Sequence, residues 1–291
     1  MEESILTALF LPLALGIIML GMGMTLTIDD FKRVFVYPKA VFLGLGNQLL
    51  LLPVLGFMLA SAFDLRPELA VGIVLLALCP GGATSNIISH LAKADLALSV
   101  SLTAISSTIT NFTIPVFLNL ALFHFMGGAE AIQLPIGKTI LQIFVVTIFP
   151  VSLGMYIKQR FPAFTGRSLK AVNIMSAAFF VLILLLAIIK ERANIVPYFV
   201  QAGLPALVLN FSAILLGYIT GLMFSLDFKQ RVSIGIETGI QNGTLAVGIA
   251  LSPAILNNTQ IAIPAAIYSL LMFLTASLVV LWSRSRAQLD I

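Results

Sequence analysis

Charge is what this sequence has least of. Asp, Glu, Lys and Arg together make up 10% of its 291 residues, against about 25% in soluble domains. With 59% hydrophobic residues and a mean hydropathy of +1.08, a water-soluble fold is excluded. Cysteine is nearly absent: Cys79 stands alone, so no intrachain disulfide can form, and its apolar surroundings make it a small packing residue. The two histidines, His90 and His124, lie near the ends of apolar segments, where an interfacial imidazole is a commoner role than a proton relay. Neither an HExxH metal motif nor a GxSxG nucleophile elbow occurs, which argues against a membrane enzyme. The basic residues are scattered over short loops, so the net charge of +4 is a topology signal and does not mark a nucleic-acid surface.

What the chain has in quantity is long apolar segments. About 20 residues of helix cross about 30 Å of hydrocarbon, and nine segments reach that length, at about 4–28, 37–63, 69–92, 96–123, 137–157, 170–190, 197–224, 231–252 and 260–283. Runs such as Phe179 to Ile189 do not alternate in polarity, which excludes a transmembrane barrel. The expectation is an all-α polytopic membrane protein, one membrane domain of nine transmembrane helices. The first segment follows Glu2 and Glu3 in place of a basic n-region, so it reads as a retained helix and not as a cleaved signal.

Assigning the loops alternately to two sides puts Lys32, Arg33, Lys39, Lys93, Lys158, Arg160, Arg167, Lys170, Lys229, Arg231, Arg284 and Arg286 on one side, leaving Arg66, Lys138, Lys190 and Arg192 for the other. Positive residues gather on the cytoplasmic side. A multi-pass protein of the cell membrane is expected, with its N-terminus outside and its C-terminus in the cytoplasm. Trp282 reads as an interface anchor and Tyr268 as a packing residue.

One acid, Glu237, falls well inside a predicted span. A carboxylate at that depth costs at least about 2.5–3.5 kcal/mol on insertion scales, so it is normally paired, protonated or bound to a cation. The bland alternative is that Arg231, six residues away and about 9 Å along a helix, marks an interface that Glu237 reaches by snorkelling. The stretch Gly235-Ile-Glu-Thr-Gly-Ile-Gln-Asn-Gly-Thr244 sets glycines beside large polar side chains, a pattern that favours a broken helix. Pro80-Gly-Gly-Ala-Thr-Ser-Asn86 does the same in the third span, where proline removes a helix hydrogen bond and two glycines loosen the backbone.

Either break alone is explained by an ordinary kink or a small-residue packing face. Two breaks at corresponding places in two halves of a chain point to an inverted repeat and to a transporter's midplane site. Carbonyls freed at the ends of the outer half-helices suit a hard cation, and amides at the starts of the inner ones suit an anion. A carboxylate, amide oxygens, hydroxyls and carbonyls form an oxygen-only ligand set, fitting an alkali cation better than zinc or copper. The expectation is coupled transport of sodium and an organic anion, with proton coupling through Glu237 as the alternative.

Cys79-Pro-Gly-Gly-Ala-Thr-Ser-Asn86 and Glu237-Thr-Gly-Ile-Gln-Asn242 resemble the two signature crossings of the bile acid:sodium symporter family, as do Leu15-Gly-Ile-Ile-Met-Leu-Gly-Met-Gly-Met-Thr-Leu26 and Ala97-Leu-Ser-Val100. The likeness covers essentially the whole chain. It implies a core domain of the helices at about 37–63, 69–92, 96–123, 197–224, 231–252 and 260–283, and a panel domain of those at about 4–28, 137–157 and 170–190. It also implies two sodium ions. One would be held by Ser85, Asn86, Ser99, Thr103 and Glu237, the other by Gln48, Glu237, the carbonyls of Thr238 and Ile240, and Gln241. On their own, Ser99 and Thr103 read as hydroxyls bonded to their own helix, and Gln48 with Asn47 reads equally well as an interhelical bond.

Where some members that handle bile acids carry a polar His-Asn pair in the last helix, this chain has Met272 and Phe273. The resemblance therefore does not establish bile acid as cargo. The expected substrate is a small organic anion, such as a pantoate-like hydroxy monocarboxylate, with its carboxylate near Ala83, Thr84, Asn242 and Gly243. Beyond that substrate and the lipid bilayer, no obligatory protein partner is evident.

Overall fold

The computed structural model describes residues 5–127 and 133–289; Glu2 and Glu3 lie outside the described residues. Among those described, every extended regular element is a helix. Helix α1 (Ile5–Gly23) leads into α2 (Ile28–Lys32) through a bend of 72°. A 3-10 turn (Arg33–Phe35) is followed by α3 (Pro38–Gly46), a π-helical turn (Asn47–Leu51) and α4 (Leu52–Ala62). Next come α5 (Pro67–Leu78), α6 (Ala83–Leu91), α7 (Leu96–Phe125), α8 (Ile136–Val146), α9 (Ile148–Arg160) and α10 (Pro162–Lys190). The chain continues through α11 (Ile195–Met223), α12 (Phe228–Gly239), α13 (Gly243–Leu251) and α14 (Thr259–Leu289).

Six of these stretches are long and apolar enough to cross a bilayer: Pro38–Ala62, Leu96–Phe125, Ile136–Arg160, Pro162–Lys190, Ile195–Met223 and Thr259–Arg286. The three other predicted segments fall on α1, which bends into α2, and on the broken pairs α5–α6 and α12–α13. Large apolar side chains such as Phe42, Leu50, Phe112, Phe211, Leu274 and Leu278 stand exposed on the outside, a surface that lipid and not water would cover. The protein is an all-α polytopic membrane protein.

Three spans differ from the sequence expectation for local reasons. The segment expected at 137–157 is interrupted at Thr147, because Pro150 lacks an amide hydrogen and crowds the carbonyl of Val146 four residues earlier. The second span widens into the π turn at Asn47–Leu51, where Pro53 acts on Leu49 in the same way. The sixth starts at Pro162, well before residue 170, since proline is well suited to the first turn of a helix.

Two parts of the chain repeat the same plan. Helices α5 and α6 have 12 and 9 residues and lead into α7 with 30; α12 and α13 also have 12 and 9 and lead into α14 with 31. The four non-glycine residues with positive φ among those described are Asp64, Lys93, Ser225 and Asn257. Asp64 and Ser225 follow the helices that precede each broken pair, and Lys93 and Asn257 follow the pairs themselves. A left-handed residue at matching turns in both halves is what one supersecondary unit used twice would leave.

Helices α11 and α12 touch backbone to backbone. A Cβ added to Gly217 would lie 2.7 Å from the Ile234 carbonyl oxygen and 2.8 Å from Gly235 Cα. Overpacking of this kind costs about 1–3 kcal/mol. Gly217→Val is therefore expected to lower thermal stability in detergent, and an unchanged melting temperature would show that the two helices do not approach this closely.

The charged loops meet at one end. The Asp95 amide donates to the Lys229 carbonyl at 3.3 Å, the Ser283 hydroxyl to the Ala92 carbonyl at 2.8 Å, and the Lys158 ammonium to the Thr25 carbonyl. An open cavity of about 740 Å³ lies there, lined by Lys93, Asp95, Asp227 and Lys229 among others. At the opposite end Arg66 sits over the Tyr198 ring, 5.8 Å from its centroid.

Candidate functional site

Pro80 sets the first break. The residue before a proline is held out of the right-handed helical region, and Cys79 accordingly leaves α5 at φ −72, ψ 151. The second break has no proline; Ile240 ends α12 in extended backbone at φ −105, ψ 93. The two breaks run antiparallel across each other through the isolated bridge between Gly81 and Gln241, and the Asn242 amide donates to the Pro80 carbonyl at 2.8 Å. Both sequence-predicted interruptions are present, and they touch.

In hydrocarbon every freed backbone group needs a partner, and side chains supply three carbonyls with theirs. Gln48 Nε2 donates to the Cys79 carbonyl at 2.6 Å. Gln241 Nε2 donates to the Thr238 carbonyl at 2.7 Å. The Gly239 carbonyl accepts from both Asn210 Nδ2 and the Tyr268 hydroxyl, each at 2.7 Å. Gln48 and Gln241 also bond each other, at 3.0 and 3.3 Å.

Glu237 occupies the last turn of α12 and is 2% exposed. Its carboxylate accepts from the Ser99 hydroxyl at 2.9 Å and from the Thr103 hydroxyl, one turn apart on α7. The same two hydroxyls face Asn86 Oδ1 on α6, at 2.9 and 3.3 Å, and Ser89 faces Ser99 at 3.1 Å. Each hydroxyl has one hydrogen to give. Two of them set against three acceptor oxygens, on Glu237 and Asn86, leave more lone pairs than protons. That surplus suits a hard cation.

Among the described residues, no basic side chain offsets the carboxylate. Arg231 Nε donates to the Leu226 carbonyl at 2.6 Å, while Glu237 is buried and turned to Ser99 and Thr103, not reaching out to an interface. The ion pairs among the described residues are Lys32–Asp29 and Arg33–Asp30, both outside this cluster. Nor is there, among the described residues, a group of three or more His, Cys, Asp or Glu that could hold a softer metal.

The structure therefore brings Asn86, Ser99, Thr103 and Glu237 into direct contact, with Ser85 at the buried start of α6 bonding the Gly82 carbonyl at 2.7 Å. It also joins Gln48, Gln241 and the Thr238 carbonyl, with Ile240 buried in the break between them. The hydrogen bonds of Glu237 go to the first group and not to the second. Ala83 and Thr84 open α6, half-buried, and Gly243 opens α13. The Asn242 side chain caps α13 by accepting from the Leu245 amide at 3.0 Å. A Cβ on Gly82 would lie 3.7 Å from the Asn242 side chain, so the two inner half-helices begin side by side. Met272 is buried, whereas Phe273 points outward at 49% exposed.

Sequence reasoning missed Asn210 and gave Tyr268 only a packing role. Both are fully buried. An asparagine in the middle of an apolar span was the available signal, and the distance of Tyr268 from either end of its helix was the other. His90 is exposed near the end of α6, and His124 stacks against Phe57 and Phe125 at the end of α7, as expected of interfacial rings. Trp282 packs against Tyr218 and Phe228.

Residues 12–198 match the family described as Sodium Bile acid symporter family. The chain is 32% identical over 280 residues, 94% of its length, to a Bacillus subtilis protein named "Uncharacterized sodium-dependent transporter YocS", of which it covers 83%. It is 29% identical over 272 residues, 94% of its length, to a rice protein named "Probable sodium/metabolite cotransporter BASS2, chloroplastic", of which it covers 63%. It is also 29% identical over 262 residues, 87% of its length, to the human "Ileal sodium/bile acid cotransporter", of which it covers 73%.

Proposed function

The chain belongs to the sodium bile acid symporter family, a family of transporters and not of enzymes, and from that premise we propose that it moves a small organic anion across the membrane together with sodium, by alternating access. The observation that carries this reading is the oxygen cluster of Glu237, Asn86, Ser99 and Thr103, buried, acceptor-rich and without a basic partner among the described residues. Sodium, as co-transported cargo, supplies the missing positive charge. Ser85 completes that set, and Gln48, Gln241, Glu237 and the carbonyls of Thr238 and Ile240 form a second. The anion's carboxylate is received at the paired starts of α6 and α13, by Ala83, Thr84, Asn242 and Gly243. A hydroxy monocarboxylate fits amides and hydroxyls of this kind.

The moving parts follow the burial pattern. The spans Ile136–Arg160 and Pro162–Lys190 are 17% and 12% buried, against 33% to 56% for the other four long spans, and α1 packs chiefly on α9 and α10. This supports a panel of α1, α8, α9 and α10 that slides against a core of α3 to α7 and α11 to α14, nine crossings in all. The joined basic loops support a cell-membrane protein with that end in the cytoplasm, the N-terminus outside and the C-terminus inside. The relatives' printed names specify sodium, and no observation favours proton coupling.

Ligand binding to the folded state alone stabilises it, by about 2.7 kcal/mol at a hundredfold excess over Kd. Purified protein is expected to melt higher in sodium chloride than in potassium chloride. Pantoate is expected to raise the melting temperature further in sodium only, since coupling between two ligands is reciprocal. In proteoliposomes, uptake should require a sodium gradient. A sodium-independent affinity for the transported anion rejects the coupling, and uptake driven by a pH gradient without sodium selects the proton alternative.

A further inference from the structure

Asn210 of α11 and Tyr268 of α14 are fully buried, lie outside every ligand set named above, and converge on one atom, the Gly239 carbonyl oxygen. Thr275, two turns beyond Tyr268 on α14, donates to Asn210 Oδ1 and also faces the Met272 carbonyl at 3.0 Å. The Asn210 amide is therefore fixed at both its oxygen and its nitrogen. Gly239 is the last helical residue before the second break, between Thr238 and Ile240, whose carbonyls the proposed second cation set uses.

The repeated plan makes this arrangement intelligible. In the first half, an amide side chain from the helix preceding the broken pair, Gln48, donates to the carbonyl of Cys79 at the end of α5. In the second half, an amide side chain from the corresponding helix, Asn210, donates to the carbonyl of Gly239 at the end of α12. Gln48 is 19 residues ahead of the first residue of its broken pair, Pro67, and Asn210 is 18 ahead of Phe228. The two amides occupy equivalent places, yet their surroundings differ. Gln48 bonds a second amide, Gln241, that is itself a proposed ligand; Asn210 is held by a hydroxyl and shares its target with a phenol.

We propose that Asn210 and Tyr268 are positioning residues for the co-transported cation. Two donors from two helices hold the Gly239 carbonyl toward α11 and α14. The peptide planes on either side are thereby fixed, and the carbonyls of Thr238 and Ile240 keep one spacing. Without the tether the break can rotate about Gly239, and the cation meets oxygens whose separation is no longer set. The inference rests on the sodium reading and concerns residues that reading does not use.

The test takes the full chain in detergent and reads sodium alone. Tyr268→Phe removes a single hydroxyl at nearly constant volume, and Asn210→Leu removes both amide bonds at similar size. Groups that orient ligands from behind change metal affinity by about 10- to 100-fold when lost. Sodium titrations of melting temperature are expected to give an apparent affinity reduced about tenfold in Tyr268→Phe and more in Asn210→Leu. The ratio of sodium to lithium affinity should fall in both, a change that loss of packing alone does not produce. Thr275→Val, which frees Asn210 Oδ1 but leaves both donors to Gly239, should move the ratio less than either. A lower sodium-free melting temperature with unchanged sodium affinity and an unchanged ratio would reduce both residues to packing elements and overturn the inference. If the unsubstituted chain shows no sodium-dependent stabilisation, the sodium reading itself fails and takes this inference with it.

Discussion

Glu237→Ala should abolish the stabilisation by sodium and all sodium-dependent uptake while leaving the protein inserted and folded. The carboxylate accepts hydrogen bonds from Ser99 and Thr103, and among the described residues it has no basic partner whose charge would be orphaned by its removal. What is lost is the negative charge that a cation needs. What remains is a polar set of hydroxyls and one amide that can satisfy itself. An acid buried in hydrocarbon opposes insertion by at least about 2.5–3.5 kcal/mol, so the sodium-free melting temperature should hold or rise. The sodium-dependent shift, about 2.7 kcal/mol at a hundredfold excess over Kd in the unsubstituted protein, should vanish. Glu237→Gln keeps the volume and adds an amide donor facing hydroxyls that can turn to accept; it too should lose the sodium response. Loss of the folded protein from the membrane in both variants would make Glu237 a structural residue.

Gly81→Ala should have an effect of comparable size by a different route. A Cβ at this position would lie 2.7 Å from the carboxyl carbon of Glu237 and 3.2 Å from the Ser85 hydroxyl oxygen. Neither group can retreat far, since both are buried among partners and Gly81 is itself paired across to Gln241. Either the carboxylate is displaced from Ser99 and Thr103 or the two breaks part. The expected stability loss is about 1–3 kcal/mol, together with a loss of sodium response at least as large as that of Asn210→Leu. Gly82→Ala is the matched control, because its Cβ would meet the Asn242 side chain at an ordinary 3.7 Å. Equal behaviour of the two alanine variants would mean that the carboxylate does not lie against Gly81.

The breaks and their partners were not equally legible in the sequence. Pro80 with two following glycines announces an interruption in one dimension, and Glu237 announces itself by being a charge where charge is expensive. Ser99 and Thr103 are different. Spaced by one turn, they look like any pair of hydroxyls bonded to their own helix, as Thr238 in fact is to Ile234 at 2.8 Å; only the family likeness raised them, and the fold turns them toward Glu237. Asn210 is readable in principle as a polar residue inside an apolar span, but no neighbouring break marks it. The π turn that carries Asn47 and Gln48 depends on a proline two residues past its end, and the interruption at Thr147 on one three residues later. Such effects act backward along the chain by four residues, and hydropathy windows average them away. The family likeness implies Glu237 in both cation sets; the hydrogen bonds of its carboxylate run to Ser99 and Thr103 of the first, a contact that depends on which face of α12 meets α7.

The pairing of Gly81 with Gln241, reinforced by the bond from Asn242 to Pro80, carries a mechanical consequence. Pulling the crossing apart would strand main-chain amides and carbonyls at a depth where no water can replace them. The junction is thus a rivet, and the alternating access proposed above must leave it shut. Access has to come from neighbours travelling past an undivided centre, which directs the search for strained or yielding segments to Thr147 and to the sharp turn between α1 and α2.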